Sequence, residues 1–182
     1  MNKLFYILSG LAVAIAVVGC RSAKEAETKS KVMANREEFI QLLRSTGRPG
    51  IEEVISHLDS TDFFTMPGGG HHTEEGGLVQ HSLEVYRIMR CIAWFQSSDS
   101  IILTALLHDM GKIDQGGWHP WRSVKHLGEW GFQLTEKEGY AIFYHHKPGW
   151  RYFRSSLRRD LSIADAISTG WWKLWHKTPR DN

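Results

Sequence analysis

The chain has 182 residues, of which 42% are hydrophobic and 23% charged, so it can bury one sizeable core and is too apolar to be a disordered segment. Its formal net charge of +2 selects no partner class, and its two cysteines, Cys20 and Cys91, exclude a disulfide framework. The charge is unevenly placed. Residues 147–180 hold eight Lys or Arg against Asp160 and Asp165, and they interleave these cations with Trp150, Tyr152, Phe153, Trp171, Trp172 and Trp175. Such a mixture suits a phosphate-bearing ligand with a flat base, an anionic membrane surface, or a solvated basic face over an aromatic core.

In chain order, Met1, Asn2 and Lys3 form a short positive start, Leu4 to Val18 is predominantly apolar, and Val17, Val18 and Gly19 lead into Cys20. This segment resembles a bacterial lipoprotein signal peptide, which implies that Cys20 is lipidated and that the protein is a membrane-anchored lipoprotein of the cell envelope. The apolar run is shorter than the roughly 20 residues of a spanning helix. Two other readings stay open: an uncleaved anchor, and translation from Met33, which would make the protein cytoplasmic. Residues 21–34 are polar, of mixed charge, and are expected to be a tether between the 1–20 segment and one domain over 35–182.

The domain reads as all-α. Asn35 with Glu38 signals a helix start, and that helix runs to about Ser45, where Thr46, Gly47, Arg48, Pro49 and Gly50 end it. A short helix follows over about Ile51 to Leu58. Glycines 68–70 and 76–77 bracket a loop feeding a helix that carries His81, with Val85, Ile88, Ile92 and Phe95 at helical spacing as its inward stripe. Cys91 on that helix reads as a small core residue. Ile101 to Leu107 is apolar all round, reads as a buried helix, and ends in His108 and Asp109. After a loop from Gln115 to Pro120 comes the His126 region. Thr135 and Glu138 make a capping box for a helix that delivers His145 and His146, and a last helix over about Asp160 to Ser168 carries Asp165.

The chemistry lies in that series of ligand-type side chains: His81, His108, Asp109, His126, His145, His146 and Asp165. Each can bind a divalent metal through an imidazole nitrogen or a carboxylate oxygen, and together they exceed what one ion needs. A carboxylate closing a buried apolar helix is costly unless a cation or a partner compensates it. The mixed His and carboxylate set suits two transition ions drawn from Mn, Fe, Co, Ni or Zn, better than Mg or Ca.

His81, then His108 and Asp109 within Leu106, Leu107, His108, Asp109, Met110, Gly111 and Lys112, then Asp165, resemble the H…HD…D signature of the HD-domain metal-dependent phosphohydrolase superfamily. The segment from His71 to Val85 also resembles the HD domains of bacterial 3′-to-5′ exoribonucleases and of small phage-type HD proteins, and the likeness runs from about residue 36 to 170. The resemblance implies an all-α HD bundle with the metal site at converging helix ends. Asp109 would bridge two ions, His81, His108 and Asp165 would complete one, and His126, His145 and His146 the other. It implies hydrolysis of a phosphate ester, with a nucleotide as the expected small substrate. Asp109 and Lys112 are the catalytic candidates. Lys112, Arg151 and Arg154 are candidate substrate contacts, and His72 and Glu75 are weaker ones at the pocket rim.

Two departures narrow this expectation. Lys147, Pro148 and Gly149 follow the His pair where cyclic-dinucleotide phosphodiesterases carry a Gly-Tyr-Pro element, and the chain has no room for the extra nucleic-acid-binding domain of the exoribonucleases. Nucleic acid is therefore a less favoured partner. Alternatives from other classes are a mixed-valence di-iron oxygenase and a non-catalytic nucleotide-binding HD module.

Overall fold

The computed structural model describes the backbone over residues 3–68, 72–147 and 155–170, with side chains described from residue 24 onward. Arg151, Arg154 and the six aromatic residues of the basic segment lie outside the described residues, as does the side chain of Cys20. Seven α-helices and no strand occur among the described residues: α1 (Lys3–Ser45), α2 (Ile51–Asp59), α3 (Gly77–Ile92), α4 (Ser98–Leu107), α5 (His119–Glu129), α6 (Glu136–Tyr144) and α7 (Ser156–Ser168). A 3₁₀ turn, Met110–Asp114, follows α4.

The chain divides into two compact units, Met1–Ala34 and Asn35–Asn182. Residues 21–34, expected as a tether, are helical, and Asn35 starts no helix because α1 passes through it. The physical reason is that no Gly or Pro interrupts Arg21 to Ser45, and the Ala, Glu and Lys content favours helix over coil. Among the described residues no helix is long and apolar enough to cross a membrane.

Within the second unit the core is continuous. Phe39, Ile40 and Leu43 from the end of α1 meet Val54, Ile55 and Leu58 of α2 and the edge-packed pair Phe63 and Phe64. Every residue from Ile101 to Leu107 is buried, as the all-round apolar pattern of α4 requires. Each fully buried Leu or Ile there contributes about 1.5–3 kcal/mol relative to exposure.

The stripe expected on α3 holds only in part. Val85 is fully buried, but Ile92 is 37% exposed and Phe95, past the helix end, is 96% exposed. Cys91 is exposed and is not a core residue. The helix ends at Ile92 with the chain turning at Ala93, so the periodicity has no helix to continue on.

Topology brings the candidate ligands together. Because α3 and α4 are joined by the short connection 93–97 and pack on one another, they run as antiparallel neighbours. His81, near the start of α3, and His108, capping the end of α4, therefore share one end of the bundle. Helix α7 packs on α3 and α6, and α6 packs on α5, so Asp165, the α6 C-cap His145 and the first turn of α5 reach the same end.

Candidate metal centre

Two groups of side chains meet around Asp109. His81, His108 and Asp165 form the first, and Asp109, His119, His145 and His146 the second. In the first, His81 Nε2 lies 3.2 Å from Asp165 Oδ1 and 3.3 Å from His108 Nε2. In the second, His119 Nε2 lies 3.1 Å from His146 Nε2. Asp109 touches both. Its Oδ2 is 3.5 Å from the Nε2 atoms of His81 and His108, and its Oδ1 is 2.9 Å from His119 Nε2 and 3.9 Å from His145 Nε2.

Local structure aims the rings. His108 and His145 each cap a helix end, and each places Nδ1 near the carbonyl three residues back, at 2.8 Å from Ala105 O and 2.6 Å from Ile142 O. A carbonyl can only accept, so Nδ1 carries the proton and the Nε2 lone pair faces the centre. His81 Nδ1 lies 2.8 Å from Ser168 Oγ, whose own proton can go to Asp165 O at 3.2 Å. The His108 and His145 rings are thus held in the tautomer that presents Nε2, the arrangement that outer partners of metal-binding histidines usually impose, while His81 is held between Ser168 Oγ and Asp165 Oδ1.

The electrostatics agree. Burial, reinforced by His108 and His146, pushes the His145 imidazole down to about 3, and burial also lowers His108 and His146. For Asp165, burial opposes ionisation, but the hydrogen bond with His81 and the neighbouring His108 outweigh it and hold the carboxyl at about 2. For Asp109, burial is likewise outweighed by His108, His119 and Lys112, which hold it well below the usual carboxylate range. Neutral imidazoles and ionised carboxylates are the forms that bind cations. Asp109 Oδ1 and His145 Nε2 are moreover buried without a well-aligned hydrogen-bond partner, a costly arrangement that a cation between them would offset. The residues present fit divalent ions.

His126 is a correction. It belongs to neither group: its Nε2 sits 2.8 Å from Asp114 Oδ2, its Nδ1 3.5 Å from Glu129 Oε2, and its ring stacks on Trp130. His119 stands where His126 was expected. Both are on α5, seven residues and therefore two turns apart on the same face, so helical phase alone does not distinguish them, although about 10 Å of helix separates them. The available signal was Pro120, which marks the start of a helix and so puts His119 at an end, where the other ligands gather.

His72, expected at the pocket rim, is buried instead. Its Nε2 is 3.2 Å from Glu84 Oε2 and its ring 5.8 Å from that of His81, so it packs behind the first group. Glu75 is exposed. Lys112 pairs with the shared carboxylate, its Nζ 2.5 Å from Asp109 Oδ2.

Gly111 explains how His119 is delivered. A Cβ at Gly111 would lie 2.3 Å from His119 O and 2.6 Å from Ser123 N, so only glycine lets the turn after Asp109 press against the first turn of α5. Ser123 staples this contact, accepting from Gly111 N at 2.9 Å and placing its hydroxyl 2.7 Å from His108 O. Gly111→Ala is expected to destabilise the domain by about 1–3 kcal/mol through overpacking, and to loosen His119. Thermal unfolding beside metal titration measures both effects. An unchanged melting temperature would show that the contact yields freely.

A buried carboxylate facing two sets of imidazoles at one end of a helical bundle is a centre that could hold metal ions. The HD domain family model matches residues 78–170, just over half of the 182-residue chain, and the chain belongs to that family, whose members are generally metal-dependent hydrolases. All the residues of both groups fall inside the matched span. No curated protein and no solved structure matches the chain.

Proposed function

We propose that the protein is a two-metal phosphohydrolase acting on a nucleotide or a related phosphate ester. The observation that carries this reading is the division of Asp109, one oxygen facing His81 and His108 and the other facing His119. Two divalent ions, when bound, would supply Lewis acidity toward the phosphoryl oxygens and toward the attacking water. His81, His108 and Asp165 would hold one ion, and His119, His145 and His146 the other, with Asp109 shared. The chain's own contribution is to keep the His108, His145 and His146 imidazoles neutral, both carboxylates ionised and the ring orientations fixed before substrate arrives. Lys112, paired with Asp109 Oδ2, would be the cation that offsets charge developing on the phosphoryl group.

Elemental analysis after reconstitution with Mn, Fe, Co, Ni or Zn, followed by assays on nucleotide monoesters, diesters and cyclic nucleotides, tests the reading. The expected result is two ions per chain and turnover of at least one phosphate ester. One ion or none would overturn it, as would oxygen consumption with a phosphonate or polyol and no hydrolysis, or nucleotide binding without turnover under any metal. Lys112→Ala should leave the metal content intact and lower kcat by roughly 100-fold, the scale of one lost transition-state donor. Unchanged turnover on the best substrate would remove Lys112 from the site.

We also propose that Cys20 is lipidated and anchors the protein to a membrane, a reading supported by the run Val17, Val18, Gly19 and Cys20 after an apolar stretch. Two or more acyl chains would hold the chain there firmly. Cys20→Ala should leave a heavier, unprocessed precursor, visible as intact mass from the native host. A lipid-free chain beginning at Met33 or Ala34 would overturn the anchor.

A further inference from the structure

The C-terminal end of α6 exposes backbone carbonyls that have no partner within their own helix, and two of the second group's three histidines, His145 and His146, lie on that end. Side chains of α7 take up these carbonyls. The buried guanidinium of Arg158 donates from Nε to Tyr144 O at 2.9 Å and from Nη2 to Lys147 O. The Ser162 hydroxyl lies 2.6 Å from His145 O and 2.9 Å from Arg158 O in its own helix, the shorter contact being the one across to α6. Tyr144 O also accepts from Lys147 N at 3.0 Å, which closes the turn around the His pair. Arg158, Ser162 and Asp165 are spaced i, i+4 and i+7, so they lie on one face of α7.

We infer that Arg158 and Ser162 are positioning residues for the second group, and that α7 sets both halves of the centre through this one stripe. Asp165 belongs to the first group. Arg158 and Ser162 grip the backbone that aims His145 and His146 into the second. A guanidinium suits this role because its planar fork reaches two carbonyls on either side of the His pair, which a lysine cannot do. Ser162 acts on the peptide of His145 itself, whose ring is tied through Nδ1 to Ile142 O. Loss of either contact frees the turn, and Nε2 of His145 then loses its fixed aim.

The metal readout rests on the proposed two-ion centre, but the backbone readout does not. Arg158→Met removes a large buried group, and its folding is doubtful on that ground, so Ser162→Ala is the deciding variant in the full chain. Hydrogen exchange of the backbone over residues 141–147 should quicken in Ser162→Ala without added metal. Co²⁺ titration, followed by the visible absorption of the bound ion, should show the second ion held about 10-fold more weakly, the scale of a partner behind a ligand, and the first unchanged. Ser162→Thr, which keeps the hydroxyl, should restore both. Unchanged exchange over 141–147, or a Thr variant as impaired as Ala, would overturn the inference. A wild-type chain that binds no second ion would instead overturn the two-ion reading, with the exchange result still deciding the role of Ser162.

Discussion

Asp109→Ala is expected to empty both halves of the centre and to lower hydrolysis by more than about 10³-fold, well beyond the 10–100-fold that partners behind a ligand are worth. The reason is geometric. No other carboxylate among the described residues has one oxygen at 3.5 Å from two imidazoles of the first group and the other at 2.9 Å from an imidazole of the second. The variant should fold. Asp109 is almost fully buried and its charge is held by His108, His119 and Lys112 against the cost of burial, so its removal deletes the pair with Lys112 and lowers the stability of the metal-free domain. The melting temperature without metal should therefore fall modestly, whereas the increment that saturating metal adds to wild type should vanish, because ligand stabilisation scales with binding. Calorimetry with and without Co²⁺ or Mn²⁺ reads both. A variant that still binds two ions would show that Asp109 is not the shared ligand.

The second large effect separates two histidines of one helix. His119→Ala should lose the second ion and lower turnover by about 10²-fold or more, since it removes a proposed direct ligand and not an outer partner. His126→Ala should keep both ions and stay within a few-fold of wild-type activity. What it loses is the contact with Asp114 and the stack on Trp130, partly exposed interactions worth about 1 kcal/mol or less. Metal stoichiometry of the two variants measured side by side checks the assignment. If His126→Ala loses an ion and His119→Ala keeps both, the second group is built differently from the geometry described above.

Several features were legible in the sequence because they depend on near neighbours only. The capping box of Thr135 and Glu138 is formed on both sides, since its two hydrogen bonds join residues three apart. The buried α4 followed from an apolar run with no polar face to turn outward. The meeting of His108 and Asp109 with His81 and Asp165 was implied by the family resemblance, and the described structure brings these four side chains together. Local pattern misled where the deciding interaction was absent from the window read. The stripe from Val85 to Phe95 assumed that α3 continued past Ile92, and the Asn35 signal assumed that a cap next to a polar stretch must begin a helix.

The sequence by itself determined that this is an all-helical chain carrying an HD signature, with a carboxylate forced to the end of a buried helix, because periodicity, capping and burial cost are properties of short stretches. Only the tertiary structure decided that His119 and not His126 joins the second group, that His72 packs behind His81, and that α7 grips the turn bearing His145 and His146. Two residues two turns apart on one helix face have the same phase in sequence. What distinguishes them is which end of α5 Gly111 allows to press against the turn after Asp109, a contact between elements that no single helix records.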